Sequence, residues 1–267
     1  MGASVRGATH KRADLPNQDC INWKPGSPVI LALSDGHGSR KCFRSDRGAE
    51  LAVDAAFMTL KDFIRSVSYR PGDGSLSAVK RMAEENAPRE IVRKWRAAVK
   101  RDIEWEPFSD DELKLSDGKA GHLSYGATLL AVLMTADFII YLQLGDGDIV
   151  TVSENDEPER PLPDDVRLFA NETTSFSAEN AWRDFRFCFR PITDQSPALI
   201  LLSTDGYANS FQNDASFLKV GPDILEMIAS EGPDFVKQHL ESWLTEASEA
   251  GSGDDITVGI VHRVRTV

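Results

Sequence analysis

The sequence predicts an α+β fold in which the sheets are largely antiparallel. Short apolar runs rich in β-branched residues cluster in separate parts of the chain, and amphipathic helices lie in two blocks between them. The regular alternation of strand and helix that marks a parallel doubly wound sheet is missing. With 267 residues and neither a repeat nor a low-complexity linker, the chain is predicted to form a single domain over residues 1–267.

The first half of the chain predicts two strands followed by two helices. The strands cover residues 18–24 and 29–34. The first helix covers 48–67, because its apolar residues recur at steps of three and four; the stretch "YRPGDGS" then ends it. The second helix covers 87–104. The apolar face of the first helix consists of Ala49, Ala52, Ala56, Leu60, Ile64 and Val67.

The second half of the chain returns to strands before two closing helices. The pattern changes at Ser124, where the polar helical surface gives way to apolar runs with a turn near Ala136 and Asp137. The predicted elements are two or three strands within 124–152, a polar loop over 153–165, strands at 185–190 and 198–203, helices near 222–230 and 233–247, and the closing strand "ITVGIVHRV".

Composition excludes several functional classes. A net charge of −12 argues against a nucleic-acid partner, because binding to phosphate backbones needs a basic surface. No run approaches the roughly 20 apolar residues that span a bilayer, and the N-terminus lacks the apolar core of a signal peptide, so we expect no membrane partner. The cysteines Cys20, Cys42 and Cys188 show no metal-ligand or disulfide spacing, which favours the cytoplasm.

Acidic residues stand at the boundaries of several predicted strands. Each one alone is typical of a turn, but the strand ends of one sheet converge in space, so several such carboxylates are expected to meet. Carboxylates that meet repel one another unless a cation compensates their charge. An oxygen-rich set without cysteine favours two Mg²⁺ or Mn²⁺ ions over zinc. The residues are Asp19, Asp35, Asp146, Asp205, Asp254 and Asp255.

The stretch "SDGHGS" carries the most specific signal. Gly36 lacks a Cβ, so its backbone carbonyl can approach a cation closely, although turn geometry alone would also explain the glycine. His37 follows a predicted metal ligand and has a side chain whose usual pKa lies near working pH, so it is a candidate general acid. Two metal ions and a general acid are the components needed to hydrolyse a phosphate ester.

The chain resembles the metal-dependent serine/threonine protein phosphatases of the type-2C (PPM) family. Matching stretches follow the family order over nearly the whole chain, and "FANETTSF" (169–176) is similar to a segment of bacterial stand-alone members. The resemblance implies a β-sandwich with helices outside each sheet (α/β/β/α layers) and a phosphorylated protein as substrate. The stretches are "PNQDC" (16–20), "LSDGHGS" (33–39), "GAELA" (48–52), "YGATLLAVL" (125–133), "LGDGDIV" (144–150), "STDGYANSF" (203–211) and "GDDITVGIV" (253–261).

The resemblance also implies a role for each site residue. Asp35 bridges two metals and Gly36 adds its carbonyl oxygen. Asp205 and Asp254 bind the first metal, whereas Asp19 either orients metal-bound water or binds the second metal. Two further assignments are a third metal at Asp146, with the Thr128 hydroxyl beside it, and His37 as general acid.

Two positions depart from the family pattern. Gln18 stands where many members have Glu, so the second metal is held by fewer charges. Asp14 stands where many members place an arginine that grips the substrate phosphate; Arg12 is the candidate substitute, with Lys11 and His10 as alternatives.

The leading hypothesis is hydrolysis of phosphoserine and phosphothreonine on proteins by a metal-activated water. We expect a monomer that acts in signalling, opposite a serine/threonine kinase. The two departures motivate an alternative, a catalytically weak or inactive phosphatase-like binding module. A hydrolase of small phosphate esters is a third hypothesis.

Overall fold

The structure is a computed structural model that describes residues 1–68, 75–116, 118, 120–163, 174–192 and 196–263. Its strands are β1 Gly2–Val5, β2 Cys20–Lys24, β3 Val29–Ser34, β4 Leu129–Met134, β5 Phe138–Leu144, β6 Asp148–Val152, β7 Pro158–Glu159, β8 Arg186–Pro191, β9 Leu199–Ser203 and β10 Ile256–His262. Its α-helices are α1 Ala8–Ala13, α2 Ser45–Ser68, α3 Leu76–Trp105, α4 Asp110–Leu115, α5 Asp205–Ala208, α6 Asp214–Leu218, α7 Val220–Glu231 and α8 Pro233–Ala250.

The described strands form two sheets of five strands each. One sheet has the order β1-β10-β9-β6-β7 and the other has the order β2-β3-β4-β5-β8. Every strand pair in both sheets is antiparallel. The predicted antiparallel α+β fold is therefore confirmed, and the order of the strands shows that each sheet combines elements distant in sequence.

Three apolar clusters hold the layers together. The cluster between the sheets includes Leu33, Val132, Ile149 and Leu202. A second cluster packs α2 and α3 against the sheet that contains β3, and it includes the fully buried Trp95. The third packs α7 and α8 against the sheet that contains β10. The α/β/β/α layering implied by the family resemblance is thus confirmed.

Helix α3 begins eleven residues earlier than the sequence predicted, at Leu76 instead of 87. The side chain of Ser75 caps its first turn by accepting a hydrogen bond from the backbone N–H of Ala78. Pro88 lies inside the helix and removes one backbone hydrogen bond. The helix continues through Pro88 because Val79, Ala83, Ala87 and Ile91 form one uninterrupted buried face.

Six short elements were not predicted: β1, α1, α4, β7, α5 and α6. Strand β1 pairs with β10, so the first residues of the chain are held by nearly the last ones. Helix α1 buries none of its residues fully, so it has no apolar periodicity for a sequence pattern to show. Within the parts of the chain that the structure describes, no helix has both the length and the apolar character to cross a bilayer.

Candidate active site

The two sheets bring carboxylates together at one end of the sandwich. Strands β6 and β9 are antiparallel and pair Asp148 with Ser203. Asp146, two residues before Asp148, and Asp205, two residues after Ser203, therefore lie at the same end of this sheet. Asp35 follows β3 at the corresponding end of the other sheet. One side-chain oxygen from each of Asp35, Asp146 and Asp205 lies within 4.8 Å of the other two. The structure therefore joins three of the predicted ligands.

The backbone at Asp35 is fixed by Thr128 on the neighbouring strand. The Asp35 N–H donates to Thr128 Oγ1 at 3.0 Å, and the Thr128 N–H donates to the Asp35 carbonyl at 2.8 Å. Ser34 Oγ donates to the Thr128 carbonyl at 2.6 Å. Thr128, which the resemblance placed beside the third metal, thus also contacts the backbone of the predicted bridging residue.

Gly36 occupies a position where no side chain fits. A Cβ there would lie 2.6 Å from the Ser45 carbonyl oxygen and 2.7 Å from that of Gln18, both backbone atoms that cannot move freely. The Gly36 N–H donates to the same Gln18 carbonyl at 3.1 Å. The segment after β3 therefore lies in close backbone contact with the start of α2 and with the segment before β2. These contacts fix the position of Asp35.

Two side-chain oxygens beside this cluster are buried without a hydrogen-bond partner in the described residues: Gln18 Oε1 and Asp19 Oδ1. Asp19 Oδ2, by contrast, accepts a hydrogen bond from Thr204 Oγ1 at 2.8 Å. Buried oxygen acceptors without a donor are costly and rare in folded proteins. A bound cation would satisfy both of them.

Burial and mutual repulsion raise the pKa values of these carboxylates. Burial raises the pKa of Asp35 well above its ordinary range, and the charge of Asp19 raises it further. Burial raises the pKa of Asp19 to about 8, an effect to which Asp255 also contributes. Burial raises the pKa of Asp205 to about 6, with a further contribution from Asp146. Without a compensating cation, the site retains protons that a solvated carboxyl would lose.

The residues present fit divalent cations of the Mg²⁺ or Mn²⁺ type. The donor set consists of oxygens. Three of them cluster in space, two further buried acceptors have no donor, and Gly36 lines the same cavity. Asp254, another predicted carboxylate ligand, is exposed and lines the same cavity as the cluster. The individual assignments of ligands to ions stay predictions.

His37 lies on the wall of that cavity and is half-buried. Its backbone N–H donates to the Gly126 carbonyl at 3.0 Å. Burial lowers the pKa of its imidazole, whereas the charge of Asp146 opposes this effect. The side chain is therefore placed beside the carboxylate cluster, as a general acid requires, while its role stays a prediction.

The loop before β10 is organised around Asp255, which the sequence grouped with Asp254. Asp255 is buried and accepts hydrogen bonds from the backbone N–H groups of Gly7 and Gln18, both at 2.6 Å. It also accepts one from His10 Nδ1 at 2.8 Å. Asp255 thus faces the protein, whereas Asp254 faces the cavity.

The cavity has a volume of about 640 Å³. Arg12, the predicted phosphate ligand, is exposed, donates to Thr9 Oγ1 at 3.1 Å and is not among the described residues of the cavity wall. Sequence reasoning gave Thr204 no role, although this residue lies in the stretch "STDGYANSF", and it did not single out Thr9 or Ser252 of the cavity wall. The wall consists of Thr9, His10, Gln18, Asp35, Gly36, His37, Gly38, Ser39, Cys42, Asp146, Asp205, Ser252, Gly253 and Asp254.

A two-sheet sandwich with clustered carboxylates at one end is the arrangement of a metal-dependent hydrolase. Residues 6–245 match the family model described as Protein phosphatase 2C. The chain therefore belongs to the protein phosphatase 2C family and is an enzyme of its class, the metal-dependent serine/threonine protein phosphatases. No curated protein matches the chain in sequence.

Solved structures similar to this chain share its fold. The catalytic domain of the serine threonine protein phosphatase PstP, in complex with two manganese ions, is 19% identical, with 97% of this chain and 95% of that chain covered and a TM-score of 0.53. Mycobacterium tuberculosis PstP/Ppp is 17% identical, with coverage of 97% and 95% and a TM-score of 0.55. Staphylococcus aureus Stp1 is 12% identical, with coverage of 100% and 94% and a TM-score of 0.58.

Proposed function

We propose that this site hydrolyses phosphoserine and phosphothreonine residues of proteins with Mn²⁺ or Mg²⁺ as cofactor. The observation that carries the proposal is the meeting of Asp35, Asp146 and Asp205 within 4.8 Å of one another, inside a cavity that His37 also lines. Membership of the protein phosphatase 2C family gives the reaction class. A relative of the same fold, PstP, has been solved with two manganese ions.

The carboxylates of Asp35, Asp205 and Asp254 would hold the first ion, and Asp35, the Gly36 carbonyl and Asp19 the second. Asp146 would serve a third ion. When bound, such ions neutralise phosphoryl oxygens and lower the pKa of a coordinated water. Asp35 is positioned for a shared role because its backbone is fixed at both N–H and C=O by Thr128.

His37 would protonate the oxygen that leaves with the serine or threonine side chain. Such an alkoxide is a poor leaving group and needs a proton, whereas a nitrophenolate does not. His37→Gln is therefore expected to slow hydrolysis of a phosphothreonine peptide by about 100-fold or more and to slow p-nitrophenyl phosphate hydrolysis much less. Equal losses on both substrates would rule out the acid role.

The substrate is proposed to be a cytoplasmic protein phosphorylated by a serine/threonine kinase, and the enzyme to act as a monomer. Free thiols at Cys20, Cys42 and Cys188 fit a reducing compartment. The sequence predicts that loops at 68–90 and 153–182 shape substrate choice. The first prediction is partly wrong, because residues 76–90 belong to helix α3; residues 69–74 and 164–173, which include most of "FANETTSF", lie outside the described residues.

The test is hydrolysis of a phosphothreonine peptide by purified protein, with and without Mn²⁺, beside an Asp205→Asn variant. The expected result is turnover that requires Mn²⁺ and is lost in the variant. Asp214→Asn is a matched control, because Asp214 is a surface carboxylate paired with Arg160. Turnover that persists in Asp205→Asn, or that needs no metal, would contradict the proposal.

A further inference from the structure

We propose that Gln143 is a positioning residue that holds Asp146 where its carboxylate can bind a metal ion. The inference deepens the proposed function and rests on its assignment of Asp146 as a metal ligand. Gln143 lies near the end of β5 and is 3% exposed. Its side-chain amide nitrogen donates to the Gly145 carbonyl at 3.2 Å and also to the Gly147 carbonyl. These two glycines are the residues on either side of Asp146.

Asp146 is the middle residue of a short connection between the two sheets, the crossover turn (residues 145–147). Strand β5 precedes this turn in the sheet that contains β3, and β6 follows it in the sheet that contains β10. One side-chain oxygen of Asp146 lies within 4.8 Å of oxygens of Asp35 and Asp205. A bound ion accepts its ligands only within a narrow range of distances. The path of the crossover turn therefore decides whether the Asp146 carboxylate reaches an ion.

The chemistry of the contact sets the direction of both hydrogen bonds. A backbone carbonyl can only accept, so the Gln143 atom that faces the two carbonyls is the amide nitrogen, whose two N–H groups serve one carbonyl each. The crossover turn supplies no side-chain donor of its own, because glycines flank Asp146. Gly145 has a φ of +106°, which other residues rarely adopt. The Gln143 amide therefore holds the backbone on both sides of a residue whose neighbours have no side chains.

Two further contacts hold the crossover turn on its β5 side. The Gly145 N–H donates to Thr174 Oγ1 at 2.9 Å, and Arg186 Nη2 donates to the Gly145 carbonyl at 3.4 Å. Gln143 acts on the same side but also reaches the Gly147 carbonyl, on the β6 side. Loss of the Gln143 amide therefore removes a donor from each flank of the turn, and the other two contacts do not support the flank towards β6.

A purely structural role of Gln143 is the competing explanation, because its amide is buried and satisfies backbone carbonyls. The two roles differ in how a substitution of Gln143 combines with a change at Asp146. A positioning residue acts through Asp146, so its loss costs little metal affinity once that carboxylate is gone. Substitutions that act through one group are non-additive, whereas independent effects add. Combining the two substitutions therefore separates positioning of the carboxylate from support of the fold.

The experiment measures Mn²⁺ affinity by calorimetry, and the melting temperature in chelator, for wild type, Gln143→Met, Asp146→Asn and the double variant. Methionine has a similar length but no N–H donor. We expect Gln143→Met to weaken, by about tenfold or more, the Mn²⁺ binding step that Asp146→Asn also weakens. The double variant is expected to bind Mn²⁺ within about twofold of Asp146→Asn alone.

The control is Ile140→Val, a change on the same strand in the buried cluster that packs α2 and α3 against the sheet. It removes one buried methyl group without touching the crossover turn, so it should lower the melting temperature and leave Mn²⁺ binding unchanged. A comparison with Gln143→Met then shows how much metal affinity is lost through destabilisation alone.

Four results would overturn the inference: unchanged Mn²⁺ binding in Gln143→Met, a further loss of about tenfold in the double variant, Mn²⁺ binding by Asp146→Asn equal to that of wild type, or the same loss of affinity in Ile140→Val. Wild-type protein that binds Mn²⁺ but hydrolyses no peptide would instead overturn the proposed function, while the comparison of Mn²⁺ affinities still decides this inference. If Gln143→Met does not fold, Gln143→Asn, whose amide lies one methylene further from both carbonyls, decides the outcome by the same comparison.

Discussion

Thr128 and Asp35 exchange two hydrogen bonds across the ends of β4 and β3. The Asp35 N–H donates to Thr128 Oγ1 at 3.0 Å and the Thr128 N–H donates to the Asp35 carbonyl at 2.8 Å. Thr128 is 4% exposed, so its hydroxyl is removed from bulk water. The hydroxyl of Thr128 is therefore part of what positions the carboxylate at the centre of the predicted metal site.

Thr128→Val removes this hydroxyl at nearly constant volume and leaves the Asp35 N–H without an acceptor. We expect a loss of about 1–3 kcal/mol in the free energy of unfolding, together with weaker Mn²⁺ binding, measured by denaturant titration and calorimetry. Thr128→Ser keeps the acceptor and serves as the control. Equal stability and metal affinity in the two variants would show that the hydroxyl does not position Asp35.

Gly36 and Gly38 lie two residues apart and provide a matched pair. A Cβ at Gly36 would lie 2.6 Å from the Ser45 carbonyl oxygen, whereas a Cβ at Gly38 would lie 3.6 Å from its nearest neighbour, Gln18 Oε1. Gly36→Ala is therefore expected to lower the melting temperature by several degrees more than Gly38→Ala, because two backbone segments must separate. A larger effect at Gly38 would contradict the described path of the chain after β3.

A substitution of Gln18 can show whether its side chain helps to hold a metal ion or only supports the fold. Its buried Oε1 has no donor among the described residues, so Gln18→Leu removes an unsatisfied acceptor at similar volume. We expect metal-free Gln18→Leu to be at least as stable as wild type, but to bind Mn²⁺ about tenfold more weakly. A variant that is less stable without metal and binds Mn²⁺ normally would assign Gln18 to the fold instead.

The stability of metal-free protein is expected to fall as pH rises. The pKa values of Asp19 and Asp205 in the folded chain, about 8 and about 6, exceed their ordinary value of 3.8. Between the ordinary and the raised pKa values, the folded state binds more protons than the unfolded state. The contribution of these two carboxyl groups to the free energy of unfolding is therefore fully present below the ordinary pKa and is lost as pH rises through the raised values. Saturating Mn²⁺ is expected to oppose this loss, because it binds the deprotonated carboxylates.

Calorimetric melting at about pH 5, 6.5 and 8, in chelator and in Mn²⁺, checks this expectation. Asp19→Asn removes one of the two groups, so it should flatten the dependence in chelator between pH 6.5 and 8. A melting temperature that rises with pH in chelator, in both proteins, would contradict the described electrostatics of the site.

Much of the fold was predictable because its buried elements are periodic. The strands β3, β4, β5, β9 and β10 have continuous apolar runs, and α2, α7 and α8 have amphipathic spacing. Helix α1 and strand β1 were missed because they are short and their positions depend on partners near the other end of the chain. The N-terminus of α3 was missed because Pro88 is typical of a first helical turn.

The candidate site was predictable where its residues follow strands. Asp35, Asp146 and Asp205 were expected to converge, and the structure brings them together. The pairing of His10 with Asp255 was not predictable, because it joins residues 245 positions apart and carries no local pattern. The same is true of the contact between Thr204 and Asp19, which are 185 positions apart.

The most direct test of the central claim is to count bound Mn²⁺ by equilibrium dialysis for wild type and for Asp35→Asn. We expect about two ions per wild-type chain, or about three where the site at Asp146 is also filled, and loss of at least one ion in the variant with parallel loss of peptide hydrolysis. Wild-type protein that hydrolyses the peptide without binding Mn²⁺, or Asp35→Asn that binds as many ions as wild type, would contradict it.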